Sequence, residues 1–492
     1  VMLGKLEVPA RLSGKLFAEG RFIAGEGGRL PVYNPARGEV IGDIAIATPG
    51  EIAATVAAAV AAWRPWARQP ARMRAEALHT LGRLILDDAA GMAELMTLEQ
   101  GKPFNEALGE IRKLAEACHF YAEEAVRVHG EVIPNDQPGF QSLVLREAIG
   151  VVAAITPWNY PAELVGWKLC AAVAAGCPVI IKPSEFTPFT ALHIAEKTLQ
   201  AGIPPGVVSV LTGDGASVGQ ALVDHPDIPK IAFTGSSRTG LRIQQSCPSI
   251  KRLSLELGGN CPLLVTRHAD LPQAVQGAVR RSFRNMGQIC IAINRIYVER
   301  TVYADFLAQF AAATRQLVIG DGLLHPAADL GAMAQAAPLQ NTRQHLQDAL
   351  DKGARLIAGG AAPQGEAFAK GLFFQPSIVA DCTAQMLVMR EETFGPLVGV
   401  APFDHLGEAI ALANDTPYGL AAYAYTQDLQ EIHRCAAELD VGNVAINHVD
   451  AGIMNAPYGG RKQSGIGVEH GREGLLEYFQ FKHVRLRHGV GA

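Results

Sequence analysis

From about residue 150 the chain settles into a rhythm that leaves few folds open. VVAAIT, PVIIK, VVSVL, KIAFT and RLSLEL are short, apolar and largely β-branched, and helical stretches such as ELVGWKLCAAVAAG, ALHIAEKTLQAG and GQALVDH separate them. A strand that is apolar on both faces must be covered on both, and parallel strands need a long crossover, which a helix supplies. The alternation therefore predicts parallel βαβ units in a doubly wound α/β sheet. After LGGN a second strand–helix series opens with PLLVT and runs to about residue 460, implying another α/β lobe. A chain of 492 residues exceeds what one hydrophobic core serves, so two or three lobes are expected.

Upstream, Thr48-Pro-Gly-Glu51 reads as a capping box with proline in the first turn, opening the helix EIAATVAAAVAAW. Two longer helical stretches follow, MRAEALHTLGRLILDDAAGMAELMTLEQG and NEALGEIRKLAEACHFYAEEAVRVHG, with apolar residues at three- and four-residue intervals. FQSLVLREAIG, just before the first strand series, alternates apolar and polar residues like an exposed hairpin arm. The net charge is −5 with no long run of one sign, which argues against nucleic acid or an acidic membrane surface as the main partner. Each apolar stretch is broken by Arg, Lys, Asp, Pro or Gly before it could span a bilayer, and VMLGKLEVPARLSGK holds no signal-peptide core. The eight cysteines form no CxxC pair and no zinc-like cluster, so no metal site is expected. Free thiols suit a reducing compartment, and a cytoplasmic location is expected.

Open parallel sheets bind ligands beyond the carboxyl ends of their strands. Gly213-Asp-Gly215-Ala-Ser-Val-Gly219 follows VVSVL, and Gly235-Ser236-Ser-Arg-Thr-Gly240 follows KIAFT. Neither has GxGxxG spacing, and Leu241 after Gly240 excludes a P-loop. Such turns either expose N–H groups to a phosphate at a helix N-terminus or simply join strand to helix. In KPSEFTP (182–188), Lys182 and Glu185 stand where they could bond ribose hydroxyls; a salt bridge or helix cap is the alternative. Cys290, in RNMGQICIAINR (284–295), follows a Gly-Gln step and precedes a β-branched run. By itself it reads as a small buried hydrophobe or as a nucleophile presented on a turn.

These pieces stand in a fixed order: TPWNYP (156–161), KPSEFTP, FTGSSRTG (233–240), LELGGN (255–260), GQICIAINR (287–295), EETFGPL (391–397) and APYGGRKQSGIG (456–467), with LEQGKP (98–103) upstream. The ordered set resembles the aldehyde dehydrogenase superfamily over nearly the whole chain, from about residue 15 to the end. The resemblance implies an α/β fold of that type. A Rossmann-type nucleotide lobe would span 1–126 and 148–257, and an α/β catalytic lobe 258–463. A small β bridging element from 127–147 and 464–492 would build a homodimer or homotetramer, with FQSLVLREAIG and FQFKHVRLR as its strands. It also implies NAD-dependent oxidation of a small-molecule aldehyde to a carboxylic acid, with NADP a poorer cofactor.

Carried over position by position, the resemblance makes Cys290 the nucleophile and Glu256 the base that activates water. Asn159 would donate its amide to the oxyanion beside the Cys290 N–H. Trp158, Lys182, Ser184, Glu185, Gly215, Gly235, Ser236, Glu392 and Phe394 would contact the cofactor. Among them, Lys182 and Glu185 would hold the adenosine ribose, Ser236 with its turn the pyrophosphate, and Glu392 the nicotinamide ribose, with Phe394 against the ring. These residue types suit the chemistry. Hydride leaves a tetrahedral thiohemiacetal far more readily than a free aldehyde, a thiolate forms that adduct easily, and its oxyanion needs donors already in place. Collapse gives a thioester, which base-activated water hydrolyses. Individually, Asn159 also reads as a turn residue and Glu256 as half of a buried ion pair. A relative that passes its acyl group to coenzyme A commonly lacks the base, and a non-catalytic relative would not keep all three groups.

The substrate region mixes two patterns. Semialdehyde-type members carry Arg-Lys where this chain has Trp167-Lys168, the broad-specificity pattern, yet Arg284, six residues before Cys290, matches the semialdehyde type. A short semialdehyde such as succinate semialdehyde is expected, with neutral aliphatic or aromatic aldehydes as the alternative. For Arg284, with Arg280 four residues earlier, a solvated basic helix face is the other reading. Finally, SGIGVEH places Val468 where the family often has arginine, a departure expected near subunit contacts rather than the chemistry.

Overall fold

The computed structural model describes residues 7–488; residues 1–6 and 489–492, the outer ends of the expected nucleotide lobe and bridging element, lie outside it. The apolar runs form parallel neighbours in an 8-stranded sheet. Its order is Arg21–Ala24, Lys15–Ala18, Val208–Val210, Val179–Lys182, Val152–Ile155, Lys230–Thr234, Arg252–Glu256 and Gly465–Ile466. Val152–Ile155 and Lys230–Thr234 are adjacent although two strands separate them in sequence, so the winding reverses between them and opens a crevice at their carboxyl ends. Every residue of these two strands is buried, as the unbroken apolar runs require.

The second series forms a 7-stranded sheet ordered Arg355–Ala358, Ser377–Ala380, Leu397–Phe403, Ile293–Glu299, Cys261–Val265, Ala421–Tyr425 and Asn443–Ile446. All neighbours are parallel except the edge strand Arg355–Ala358. A third, 3-stranded sheet pairs Phe140–Ala148 antiparallel with Glu131–Ile133 and with Phe479–Arg487, in register from Ala148 opposite Phe479 to Phe140 opposite Arg487. Within 464–492, Gly465–Ile466 instead closes the first sheet, and the helix Gly471–Leu476 packs on the helices Phe104–Ala125 and Glu163–Ala175.

The capping box forms as the sequence predicts. Thr48 Oγ1 accepts from Glu51 N (3.3 Å), Glu51 Oε2 accepts from Thr48 N (2.8 Å), and the helix runs Pro49–Ala67. The stretch read as one helix from Met73 to Gln100 is two, Ala71–Asp87 and Ala89–Gln100. The break falls at Asp88 (φ −112°, ψ 17°), whose carboxylate meets Lys197 Nζ at 2.7 Å and His193 Nε2 at 2.8 Å. Side-chain periodicity cannot report that long-range pull. Glu163–Ala175 is buried on nearly all sides, as its apolar sequence demands, and carries Trp167 and Lys168 into the interior.

Candidate active site

The turn that carries Cys290 is built from an unusual backbone. The helix Leu271–Phe283 ends at Arg284, after which Asn285, Met286 and Gly287 all take left-handed φ values of 49°, 58° and 70°. For the two non-glycine residues this conformation costs energy and persists only where neighbours enforce it. Asn285 is held on several sides. Gln100 Nε2 donates to its Oδ1 (3.1 Å), its Nδ2 donates to Asn159 O (3.0 Å), its backbone N donates to Glu106 Oε2 (3.2 Å), and its carbonyl accepts from Gln288 Nε2 (2.8 Å). Cys290 follows, half-buried, just before the strand Ile293–Glu299.

LEQGKP supplies much of that support. Glu99 accepts from Phe189 N (2.7 Å) and Thr190 N (2.9 Å), capping the helix Phe189–Gln200. Lys102, fully buried, pairs with Glu110, donates to Asn159 O (2.8 Å) and lies 3.9 Å from the centre of the Tyr160 ring. Glu110 in turn accepts from Ala162 N (2.8 Å) and Glu163 N (3.1 Å). One short motif thus braces the Asn159 segment, the cysteine turn and the helix Phe189–Gln200. Sequence reasoning noted the motif without assigning these residues a task.

Cys290 and Asn159 share a cleft of about 460 Å³ with Trp158, Gly235, Ser236, Glu392 and Phe394. Glu392 Oε1 accepts from Gly259 N (3.0 Å), and burial pushes this carboxyl up to about 7. Asn341 Nδ2 fixes the segment by donating to Glu392 O (3.1 Å) and Thr393 O (2.9 Å). Phe394, at φ 53°, meets Trp158 edge-on at 5.3 Å. A second cavity of about 370 Å³ is lined by Glu185, Asp214, Gly215, Thr239 and Arg242. Lys182 stands behind Glu185 at 3.2 Å, and Ser184 Oγ accepts from Phe186 N (3.4 Å); neither lines either cavity.

The two cavities flank the start of the helix Ser237–Ser246, which Ser236 caps by accepting from Thr239 N (3.2 Å). A dinucleotide fits this layout, with one half in each cavity and its diphosphate at a helix N-terminus. A Cβ added at Gly215 would meet nothing within 4 Å, so that turn leaves room for a ligand. Arg238 and Arg242, which the sequence motifs did not single out, line the two cavities and add positive charge where a diphosphate would lie.

Burial pushes the Cys290 thiol up to about 12, with Tyr458 lowering it through a hydrogen bond and Glu392 and Glu256 raising it. The Tyr458 hydroxyl is 3.6 Å from Cys290 Sγ. Asn159 Nδ2 donates one proton to Gln288 O (2.9 Å) and, as an amide, keeps a second. Glu256 ends its strand only 4% exposed, and neither carboxylate oxygen has a hydrogen-bond partner among the described residues. Burial first and then nearby Glu469 hold its pKa well above the usual carboxylate range, while Lys168 opposes them.

The SGIGVEH segment, expected near subunit contacts, contributes to that environment: Glu469 is buried and accepts from Lys168 Nζ at 2.6 Å, and Lys168 also donates to Thr234 Oγ1 at 2.6 Å. Lys168, Glu469 and Tyr458 were not read from sequence. The available signal was a lone lysine inside the apolar helix WKLCAAVAAG, which must find a counter-charge.

Neither Trp167 nor Arg284 lines either cavity. Trp167 packs edge-on against Tyr458 at 5.6 Å, and its indole N–H has no acceptor among the described residues. Arg284 does not share a helix face with Arg280. It caps the end of the helix, and its Nε donates to Glu106 Oε1 (3.0 Å), whereas Arg280 and Arg281 pair with Asp450. The terminal nitrogens of Arg284 make no hydrogen bond among the described residues.

A doubly wound sheet, two cavities that a dinucleotide would fit and a thiol on a braced turn are the parts that an oxidoreductase working through cysteine needs. The chain belongs to the aldehyde dehydrogenase family, whose model matches residues 22–484, and it is an oxidoreductase acting on aldehydes. It is similar to a succinate semialdehyde dehydrogenase of Acinetobacter baylyi, 42% identical over 95% of this chain and 98% of that one. It is also similar to the NADP-dependent succinate-semialdehyde dehydrogenase of Escherichia coli, 41% identical over 95% and 98%. An aldehyde dehydrogenase crystal structure from Brucella melitensis superposes with a TM-score of 0.95 at 41% identity, covering 98% of this chain and 99% of that one. Family members use NAD or NADP. Among the described residues no helix is long and apolar enough to cross a membrane, and no group of three or more His, Cys, Asp or Glu could hold a metal ion.

Proposed function

We propose that this enzyme oxidises a short aldehyde bearing a distal acid group to the corresponding diacid, using NAD. The observation that carries the mechanism is the single cleft shared by Cys290, Asn159 and Glu392, with the partnerless carboxylate of Glu256 buried nearby. Cys290 Sγ attacks the aldehyde carbon. The oxyanion would accept hydrogen bonds from the second amide N–H of Asn159 and from the backbone N–H of Cys290. Bound in this cleft, a nicotinamide would supply the hydride acceptor and a positive charge that favours the thiolate of Cys290. Glu256 then takes a proton from the water that hydrolyses the Cys290 thioester, with Lys168 favouring its ionised form. The test is NADH formation from a panel of aldehydes, with and without coenzyme A. Acid product without coenzyme A is expected, and a strict need for coenzyme A would overturn the hydrolytic reading.

Glu185 supports NAD over NADP, because its carboxylate lines the adenosine cavity and would repel a 2′-phosphate. For the substrate, the semialdehyde-acting relatives and the free terminal nitrogens of Arg284 support a distal carboxylate. Glu106 would then orient the fork through Nε. A second reading, a neutral aliphatic or aromatic aldehyde, is favoured by the apolar wall of Trp167 and by Glu106 already balancing the charge of Arg284. We read the first sheet with its helices as the nucleotide lobe and the second as the catalytic lobe. The three-stranded arm exposes Val132, Ile133 and Phe481, which supports its use in homo-oligomer assembly. Eight free cysteines support work in a reducing compartment such as the cytoplasm.

A further inference from the structure

His470 is the most strained residue near the site. Its backbone lies at φ 60°, ψ 172°, a region that is essentially reserved for glycine. The surrounding chain enforces this. Glu469 and Tyr458 exchange two backbone hydrogen bonds of 2.7 Å on one side of it, and Gly471 N donates to Met454 O (2.9 Å) on the other. A glycine would satisfy the same backbone bonds without the strain, so what the chain gains from histidine is the ring. The imidazole is 3% exposed, meets the Trp167 ring at 4.1 Å and 84°, and lies 5.3 Å from Tyr458, the residue whose hydroxyl touches Cys290 Sγ. Its Nδ1 faces Ile453 O at 3.1 Å, which places the proton there and leaves Nε2 an acceptor without a partner among the described residues.

We propose that His470 is a specificity-determining residue: its ring, held in place by a glycine-type backbone, thickens the wall formed by Trp167 and Tyr458 beside Cys290 and restricts the site to slender, unbranched aldehydes. The inference rests on the reading of Cys290 as the group that meets the aldehyde. Burial, only partly opposed by the hydrogen bond to Ile453, pushes the imidazole down to about 4 and keeps it neutral, so the ring acts through shape and not through charge.

The test compares the wild type with His470→Gly and His470→Ala. Both variants remove the ring, but only glycine relieves the backbone, so the alanine variant should have the lower melting temperature while both share one selectivity. The readout is the ratio of kcat/KM for cyclohexanecarboxaldehyde to that for hexanal, which should rise about tenfold or more in both. Equal changes for the two aldehydes, or no change in either variant, would overturn the proposal. A second measurement is independent of turnover: alkylation of Cys290 by N-cyclohexylmaleimide relative to N-ethylmaleimide, followed by peptide mass mapping, should shift the same way. If the wild type oxidised no aldehyde, the functional reading would fall, and the alkylation ratio alone would decide the role of His470.

Discussion

Replacing Arg284 with leucine separates the two substrate readings, and the structure sets the size of each effect. Its terminal nitrogens make no hydrogen bond among the described residues and can take a carboxylate, and a charge-assisted hydrogen bond is worth roughly 1.5–3 kcal/mol. Loss of one such contact should lower kcat/KM for succinate semialdehyde by about ten- to a hundredfold. The variant also strips Glu106 of its cation. Breaking a fully buried pair costs about 3–5 kcal/mol, but the Arg284 side chain is 35% exposed and Glu106 keeps Asn285 N–H and Tyr160 OH as donors. Solvent screening brings the expected loss of stability down to roughly 1–2 kcal/mol. Such a loss falls on every substrate alike, so the decisive quantity is a ratio. The kcat/KM for succinate semialdehyde should be measured against that for butanal, which has the same carbon chain and no charge. The ratio should collapse in Arg284→Leu and recover only in part in Arg284→Lys, which restores the charge without the planar fork. If both aldehydes lose activity by the same factor, Arg284 is a brace for the cysteine turn and the neutral-aldehyde reading takes its place.

Two other perturbations probe the cofactor and the thiol. Glu185→Ser removes the charge that would repel a 2′-phosphate, so the ratio of kcat/KM for NADP over NAD should rise by roughly tenfold or more; a wild type that already prefers NADP would refute the assignment. With the Cys290 thiol at about 12, only a small thiolate fraction exists below that pH, so its alkylation rate should climb steadily from pH 7 to pH 10. Saturating NAD should move the rise to lower pH, because a positive charge favours the ionised form. A plateau below pH 8 without NAD would contradict the burial argument.

How much of this was legible before folding depends on the range of the interactions. The parallel strands were legible because each is a short, uninterrupted apolar run, and burial on both faces leaves no other pattern. The Thr48–Glu51 cap was legible because its two hydrogen bonds close within one turn. The break at Asp88 was not, since it coincides with contacts to Lys197 and His193 more than a hundred residues away. Lys168 with Glu469, 301 residues apart, is hidden for the same reason. Motif order placed Cys290, Asn159 and Glu392, which one cleft brings together, yet it said nothing of Glu106 beneath Arg284. Nor does any sequence pattern announce that His470 occupies a glycine-type backbone, a property set by the strands and turns on either side.

The central claim is that Cys290 carries the substrate as a thioester that Glu256 helps water to cleave. It is tested most directly by mixing Glu256→Gln with NAD and an aldehyde, quenching in acid and mapping the peptide that holds Cys290 by mass spectrometry. About one NADH per site is expected, followed by a stall, with the acyl mass on Cys290 and on no other cysteine. Full steady-state turnover in this variant, or an acyl group absent from Cys290 while NADH is still released, would contradict it.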